Sequence, residues 1–487
     1  MRKRFEPQLK IGQLLIKDTI INHKCRDSVV DLMAALKFIF VTEEYNVEVF
    51  NILENAITSQ KKSTGRKGMD LWQVFVLSQV RLCLNTSYDR LHHMVNNDRL
   101  VRQIMGIENK EGYKRIEFEY QNIYDNVTLL DDHTVKKLNN VIIAMGHDVF
   151  KKKEEAALRL KTDSFVVESN VHFPTDYNLL WDCARKCLDT VSKFLAKYNN
   201  LKGWRKVSDW RYGLKGLMRE LGKSSSSGGK GKQDRIVLAT KRYLKKARLF
   251  QLKLQQELPL LPLNDLEDLR LIYILEHFIP LLDKHIDLVD RRILKNEKIP
   301  HEEKLFSIFE TYTEWINKGK SRPNIELGKK LAITTDQFGL IVDYQVMHGQ
   351  QDRDIVIEVA DRLLPLYSIA SWSFDKGYWL KRNKELLQTE VPKVIMPKLG
   401  KRTKTEEDEE TSPTFKRLKN KHSAIESNIN ELEHRGLDRC PDRGLPHFER
   451  YISLGVCAYN LKKIGREILK LQRNKIQAPV LRPSQVA

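Results

Sequence analysis

Only six of the 487 residues are cysteine. They are Cys25, Cys83, Cys183, Cys187, Cys440 and Cys457, and they are scattered through helix-like, apolar contexts. Cys183 and Cys187 share a helical face, but no second Cys or His pair lies near them at zinc-like spacing. This excludes a disulfide framework and a structural zinc site, and predicts buried thiols in a reducing compartment. No run of about 18 apolar residues exists, so no transmembrane helix is expected. The opening MRKRFEPQLK is basic but has no apolar segment behind it, which argues against a signal peptide. The expected place is the cytoplasm, where the DNA is, away from membranes. Acidic residues are in deficit: 64 Asp and Glu face 84 Lys and Arg, for a net charge of +20. A chain this basic is built to meet a polyanion, because Lys and Arg displace the counterions that surround phosphates.

What is present is organised in blocks, with no internal repeat. Residues 27–60 have apolar positions recurring at three and four, with Asp27 and Ser28 as cap candidates, and predict helices. A basic linker, QKKSTGRKG, follows at 60–68. GMDLWQVFVLSQVRLCLN then reads as an apolar helix. Its neighbour TSYDRLHHMVNNDRLVRQIMG begins at a Thr86 or Ser87 cap. Such a helix pair, with Arg90 and His92 on its polar face, is a candidate DNA reader. The span 1–150 is therefore read as an N-terminal helical, DNA-binding domain.

AALRLKTDSFVVESNVHFP, within 155–176, is β-branched and alternating, and predicts a strand. Residues 177–325 turn helical again and read as an all-helical insertion. It contains a flexible KSSSSGGKGK linker at 223–232 and a basic helix face carrying Lys241 and Lys245. From 326 to 475 the order is a hairpin turning at Gln337-Phe338-Gly339, then helix, strand, helix, strand, helix, helix. KRTKTEEDEETSPTFKR, 401–417, reads as a mobile charged loop. With the insertion removed, the core runs β-β-β-α-β-α-β-α-α. The expected fold is α+β: an RNase H-like mixed sheet with helices, interrupted by a large all-α insertion and preceded by an N-terminal helical domain.

Three acids have the setting that metal-assisted phosphodiester chemistry needs. Such chemistry needs isolated carboxylates on rigid elements, holding two Mg²⁺ ions about 4 Å apart, with no His/Cys cluster. Asp163 sits in LKTDSFVVES inside an apolar strand. Asp375 ends the strand in SWSFDKGYW. Glu426 lies in the first turns of the helix KHSAIESNIN. Other acids have plainer explanations. Asp336 suits a turn. Asp352 or Asp354 in HGQQDRD suits the cap of the next helix. Glu168 is an odd number of residues from Asp163 and so faces the other way. Glu433 stands about 10 Å along the helix from Glu426. Trp372 and Trp379 suit packing.

The chain resembles the DDE transposases of bacterial insertion sequences, in particular the ISNCY kind. The likeness rests on RKGMDLWQVFVLSQVRLCLNTSYDRLHHMVNNDRLVRQIMG, KTDSFVVESNVHFPTDYNLLWD, GLIVDYQVMHGQQDRD with SWSFDKGYW, HSAIESNINELEHRGLDRCPDRG and FERYISLGVCAYNLKKIG. The resemblance implies Mg²⁺-dependent cleavage (Mn²⁺ substituting, two ions) at terminal inverted repeats. It further implies attack of the freed 3′-hydroxyl on target DNA, double-stranded DNA as partner, and a homodimer that holds two ends. Asp163, Asp375 and Glu426 take the catalytic and metal-holding places. The Tyr, Arg and Lys that flank the Glu in the broader pattern correspond to Lys419, His422 and Glu433 here, so that pattern is not met. Lys419, Lys421, His422 and Asn430 remain candidates for DNA contact. The alternatives are an RNase H-like nuclease that hydrolyses without joining, and a catalytically silent DNA-binding relative.

Overall fold

The computed structural model describes residues 2–9, 11, 13–57, 68–108, 115–151, 156–198, 203–204, 206–317 and 324–477. Residues 60–67 of the basic linker lie outside them. The chain divides into two compact units, one of residues 1–170 with 316–487 and one of 171–315. Among the described residues, no helix is long and apolar enough to cross a membrane.

The first unit opens with seven helices: α1 Ser28–Val41, α2 Glu43–Ile57, α3 Leu71–Cys83, α4 Tyr88–Asn97, α5 Arg99–Ile104, α6 Tyr120–Val127 and α7 Asp132–Val149. Asp27 caps α1 by accepting from Val29 N–H, and Ser87 caps α4 by accepting from Arg90 N–H. Nearly every side chain of α3 is buried, which makes it a scaffold for its neighbours. On α4, Arg90 is exposed and His92 is half-buried, edge-on to Tyr120.

Strand β1, Leu158–Glu168, runs through the middle of the sheet. The second unit then inserts α8 Asp176–Lys197, α9 Val207–Ser226, α10 Lys232–Glu257 and α11 Leu266–Val289. Their apolar faces enclose one core that includes Phe194, Tyr243, Phe250 and Leu282. Two expectations need correction here. The Ser-rich linker is shorter than predicted, because Ser224, Ser225 and Ser226 finish α9 by donating their hydroxyls to carbonyls four residues back. The stretch read as all-helical to 325 also contains a strand, β2, Glu314–Asn317. Four residues are too few for alternation to register.

Gly216 lies exposed in α9, and nothing stands within 4 Å of where its Cβ would be. Gly216→Ala should therefore stabilise the protein by about 0.5–1 kcal/mol, through helix propensity and lost unfolded-state freedom. Urea unfolding checks this, and a lower midpoint for the variant would contradict it.

The remaining elements are β3 Ile325–Thr335, β4 Ile341–Val346, α12 Val356–Leu363, β5 Ile369–Phe374, α13 Lys381–Glu390, β6 Val394–Ile395, α14 Lys404–Thr411, α15 Pro413–His422, α16 Ala424–Leu432 and α17 Leu445–Gln477. The sheet order is β2-β3-β1-β5-β6, with β4 also paired to β3. β1–β3 and β3–β4 are antiparallel, whereas β1–β5 and β5–β6 are parallel. The hairpin turn after β3 is held by Asp336, whose carboxylate accepts from the N–H groups of Phe338 and Leu340 and meets His147 Nε2 at 2.9 Å.

The charged stretch at 401–417 is not a loop. Thr403 and Glu406 form a reciprocal cap for α14, and Ser412 with Pro413 starts α15. Lys398 pairs with Glu406, Lys384 with Glu409 and Arg402 with Glu410. Opposite charges thus fold what looked like a repelling run.

Candidate active site

The parallel register places Lys161 opposite Ser373 and Thr162 opposite Phe374. One step further, Asp163 falls beside Asp375, whose backbone is still extended just past β5. Side chains alternate along a strand, so Arg159, Lys161 and Asp163 share a face with Ser371, Ser373 and Asp375. Adjacent strands lie about 4.8 Å apart, so the two aspartates end neighbouring strands on one face. α16 packs against β1 and carries Glu426 in its first turn.

The charges of Asp375 and Glu426 both act on Asp163. The Asp163 carboxyl is pushed up to about 6. Burial is the largest cause, and the charges of Asp375, Asp352 and Glu426 add to it, against a backbone hydrogen bond from Ser164. That N–H to Oδ1 distance is 2.7 Å. Asp375 and Glu426 are exposed. Neither carboxylate accepts a hydrogen bond from, or pairs with, any described residue.

Among the described residues, no three His, Cys, Asp or Glu side chains stand as a ready cage for an ion. The donor chemistry nonetheless suits a hard divalent cation. All three groups are oxygen ligands, two are unpaired and free to turn, and the third carries surplus negative charge in a buried setting.

A positive edge borders the acids. A cavity of about 390 Å³ is lined by Arg159, Lys161, Ser373, Asn420, Lys421 and Ser427, among others. Burial lowers the pKa of Lys161, with Arg159 and Lys421 adding to that effect and Asp336 opposing it. His422 ends α15 and reaches Ser373 Oγ at 3.0 Å through Nδ1. Burial lowers its pKa too, while the nearby Asp375 works the other way.

The other residues predicted to touch DNA are dispersed. Lys419 is exposed on α15, and Asn430 lines a separate cavity with Asn85 and Arg435. Arg90 and His92 belong to α4. Lys241 and Lys245 are exposed on α10 in the second unit. Sequence reading missed Arg159 and Lys161, although their two-residue spacing ahead of Asp163 was a usable signal. It also offered Asp352 or Asp354 as a cap for the next helix. The helix N-cap position is Ile355, and Asp352 points elsewhere, to Ser164 Oγ at 2.7 Å and Lys330 Nζ at 3.1 Å.

No curated protein and no solved structure matches the chain. Residues 288–461 match the family described as "Transposase DDE domain". The matched span contains Asp375 and Glu426 and begins after β1, so Asp163 lies outside it. The match covers 174 of the 487 residues, so it is this segment that is similar to a transposase DDE domain.

Proposed function

We propose that this chain is a transposase, which cuts DNA at the terminal inverted repeats of its own element and joins the freed 3′-hydroxyl to target DNA. Asp163, Asp375 and Glu426 would hold the divalent cations, with Mg²⁺ as the natural ion and Mn²⁺ as a substitute. The observation that supports this reading is that the half-buried Asp163 carboxyl feels the charges of Asp375 and Glu426, although Glu426 stands 263 positions further along the sequence. Bound there, two such ions would acidify the attacking water or hydroxyl and stabilise the leaving oxyanion. Asp163 fixes the inner wall of the site from the centre of the sheet, while Asp375 and Glu426 approach from its open side. Arg159, Lys161 and Lys421 would draw a DNA strand along the face that carries the acids.

Apart from the four-residue β2, the path runs β4-β3-β1-β5-β6, with β4, β3 and β1 antiparallel and β5 and β6 parallel to β1, which supports an RNase H-like core. Within the family we assign the chain to the insertion-sequence kind that its blocks resemble. The helices of 1–150 would read the element's ends, 177–325 would add further DNA contacts through Lys241 and Lys245, and two copies would hold two ends.

The test is to incubate the full chain with labelled DNA carrying the terminal repeats and a target plasmid, with Mg²⁺, Mn²⁺ or a chelator. Ion-dependent nicks and joined products are expected. Nicks without joining would favour the hydrolytic nuclease, and Asp375→Asn cutting at the wild-type rate would overturn the site assignment.

A further inference from the structure

Asp352 lies between β4 and α12, yet its two carboxylate oxygens serve distant segments. Oδ1 accepts from Ser164 Oγ at 2.7 Å, and Ser164 directly follows Asp163 on β1. Oδ2 meets Lys330 Nζ of β3 at 3.1 Å. The same oxygen lies 3.1 Å from where a Cβ on Gly377 would stand, in the turn that Asp375 begins. Any side chain at Gly377 would therefore press on this carboxylate. Tyr378, 1 % exposed, lies against the same groups, with Asp352, Asp163 and Ser164 all bearing on its hydroxyl.

The local explanation for such an aspartate fails. The local bracing in this loop comes from Asp354, which accepts from Gln351 N–H at 2.8 Å, and α12 has no side-chain cap at its Ile355 N-cap. Asp352 instead bonds to the strand carrying Asp163 and to β3, and its carboxylate stands close beside Gly377 in the turn following Asp375. Its partner Lys330 is about one-quarter exposed, so the pair is neither an isolated surface contact nor a fully buried one. Its charge also reaches Asp163, which already carries those of Asp375 and Glu426.

We infer that Asp352 is a positioning residue of the active site: it fixes the separation of Asp163 and Asp375 and supplies a standing negative charge behind them that favours a divalent cation. The inference rests on the assignment of those two aspartates as metal-holding groups. Residues that orient metal ligands from behind alter metal affinity by about 10–100-fold when replaced.

The experiment uses the full chain and Mn²⁺ alone, titrated without DNA and followed by the rise in melting temperature, with DNA nicking measured in parallel. Asp352→Asn keeps an oxygen for Ser164 and removes the charge. It should need about tenfold or more Mn²⁺ for the same thermal rise, and should nick more slowly at limiting Mn²⁺, with recovery at high Mn²⁺. Ser164→Ala keeps the Asp352–Lys330 pair and loosens the link to β1. It should show a smaller shift in the same direction, and it serves if Asp352→Asn does not fold. Asp354→Asn should titrate as the wild type. A purely structural role would lower the starting melting temperature and leave the Mn²⁺ dependence unchanged, and that result in both variants overturns the inference. If Asp352→Asn is normal while Asp163→Asn is defective, the inference fails and the functional reading stands. If Asp163→Asn is also normal, the functional reading itself fails.

Discussion

In Asp163→Asn, strand cutting should fall by at least about 1000-fold, equivalent to about 4 kcal/mol of lost transition-state stabilisation. Binding to the element's ends should persist, and the metal-free variant should be more stable than the wild type. The last result follows from the carboxyl being lifted to about 6, chiefly by burial and then by its acidic neighbours. Unfolded, this group titrates near 4. Between the two values the folded protein holds a proton that the unfolded chain releases. Stability is therefore highest below pH 4 as far as this group is concerned, and it declines as pH rises through about 6. Above that, ionised Asp163 costs the folded state roughly 3 kcal/mol, an order-of-magnitude figure. The amide removes this cost. The variant should melt several degrees higher at pH 8, with the gap closing by about pH 4. Adding Mn²⁺ should narrow the gap at pH 8, because only the wild type gains a bound ion. A variant that cuts normally, or that melts below the wild type at pH 8 and not at pH 4, contradicts the account.

The same residue shows what sequence alone could convey. An Asp inside an apolar strand is locally anomalous, and Asp163 stands out for that reason. Asp375 stands out as the polar end of a buried strand, IASWSF. Glu426 had less local signal, since an acid in a first helical turn is ordinary. It was named through the resemblance of its block, and that α16 packs against β1 is something no local pattern encodes. The expectation that Asp352 or Asp354 caps the next helix missed Asp352 for the same reason. Its hydrogen-bond partner Ser164 is 188 residues away, whereas capping and periodicity arguments extend over one or two turns. The charged segment at 401–417 failed differently. Its low hydropathy outweighed a legible Thr403-x-x-Glu406 start signal, and its pairing with Lys384 and Lys398 is tertiary. Hydrophobic alternation found the strands of the sheet except the four-residue β2, which is too short to have a period.

The second large effect is expected at Gly465, in the long closing helix α17. A Cβ there would stand 1.8 Å from the carbonyl oxygen of Asp31 in α1. The obstacle is backbone, so no rotamer change relieves it and one helix must move. The gain in helix propensity from Ala, about 1 kcal/mol, is small beside forced separation of two packed helices. Gly465→Ala should cost more than about 3 kcal/mol, at the upper end of overpacking penalties. The consequence reaches the active site, because α17 is tied to both halves of its unit. Asn460 exchanges hydrogen bonds of 2.9 Å with the N–H and C=O of Ile341 at the start of β4, and donates to Asn139 of α7. Tyr459 donates to Asn428 at 2.9 Å, and Lys462 pairs with Glu431. Asn428 and Glu431 stand on or beside the same short helix as Glu426. A shift of α17 away from α1 therefore carries Glu426 with it, while Asp163 and Asp375 remain in the sheet. Gly465→Ala should thus lose cutting activity at temperatures where circular dichroism still reports a folded protein, and Gly216→Ala should lose none. If Gly465→Ala melts with the wild type, the close approach of α1 and α17 is wrong. If it is destabilised yet cuts at the wild-type rate while folded, α17 does not position Glu426.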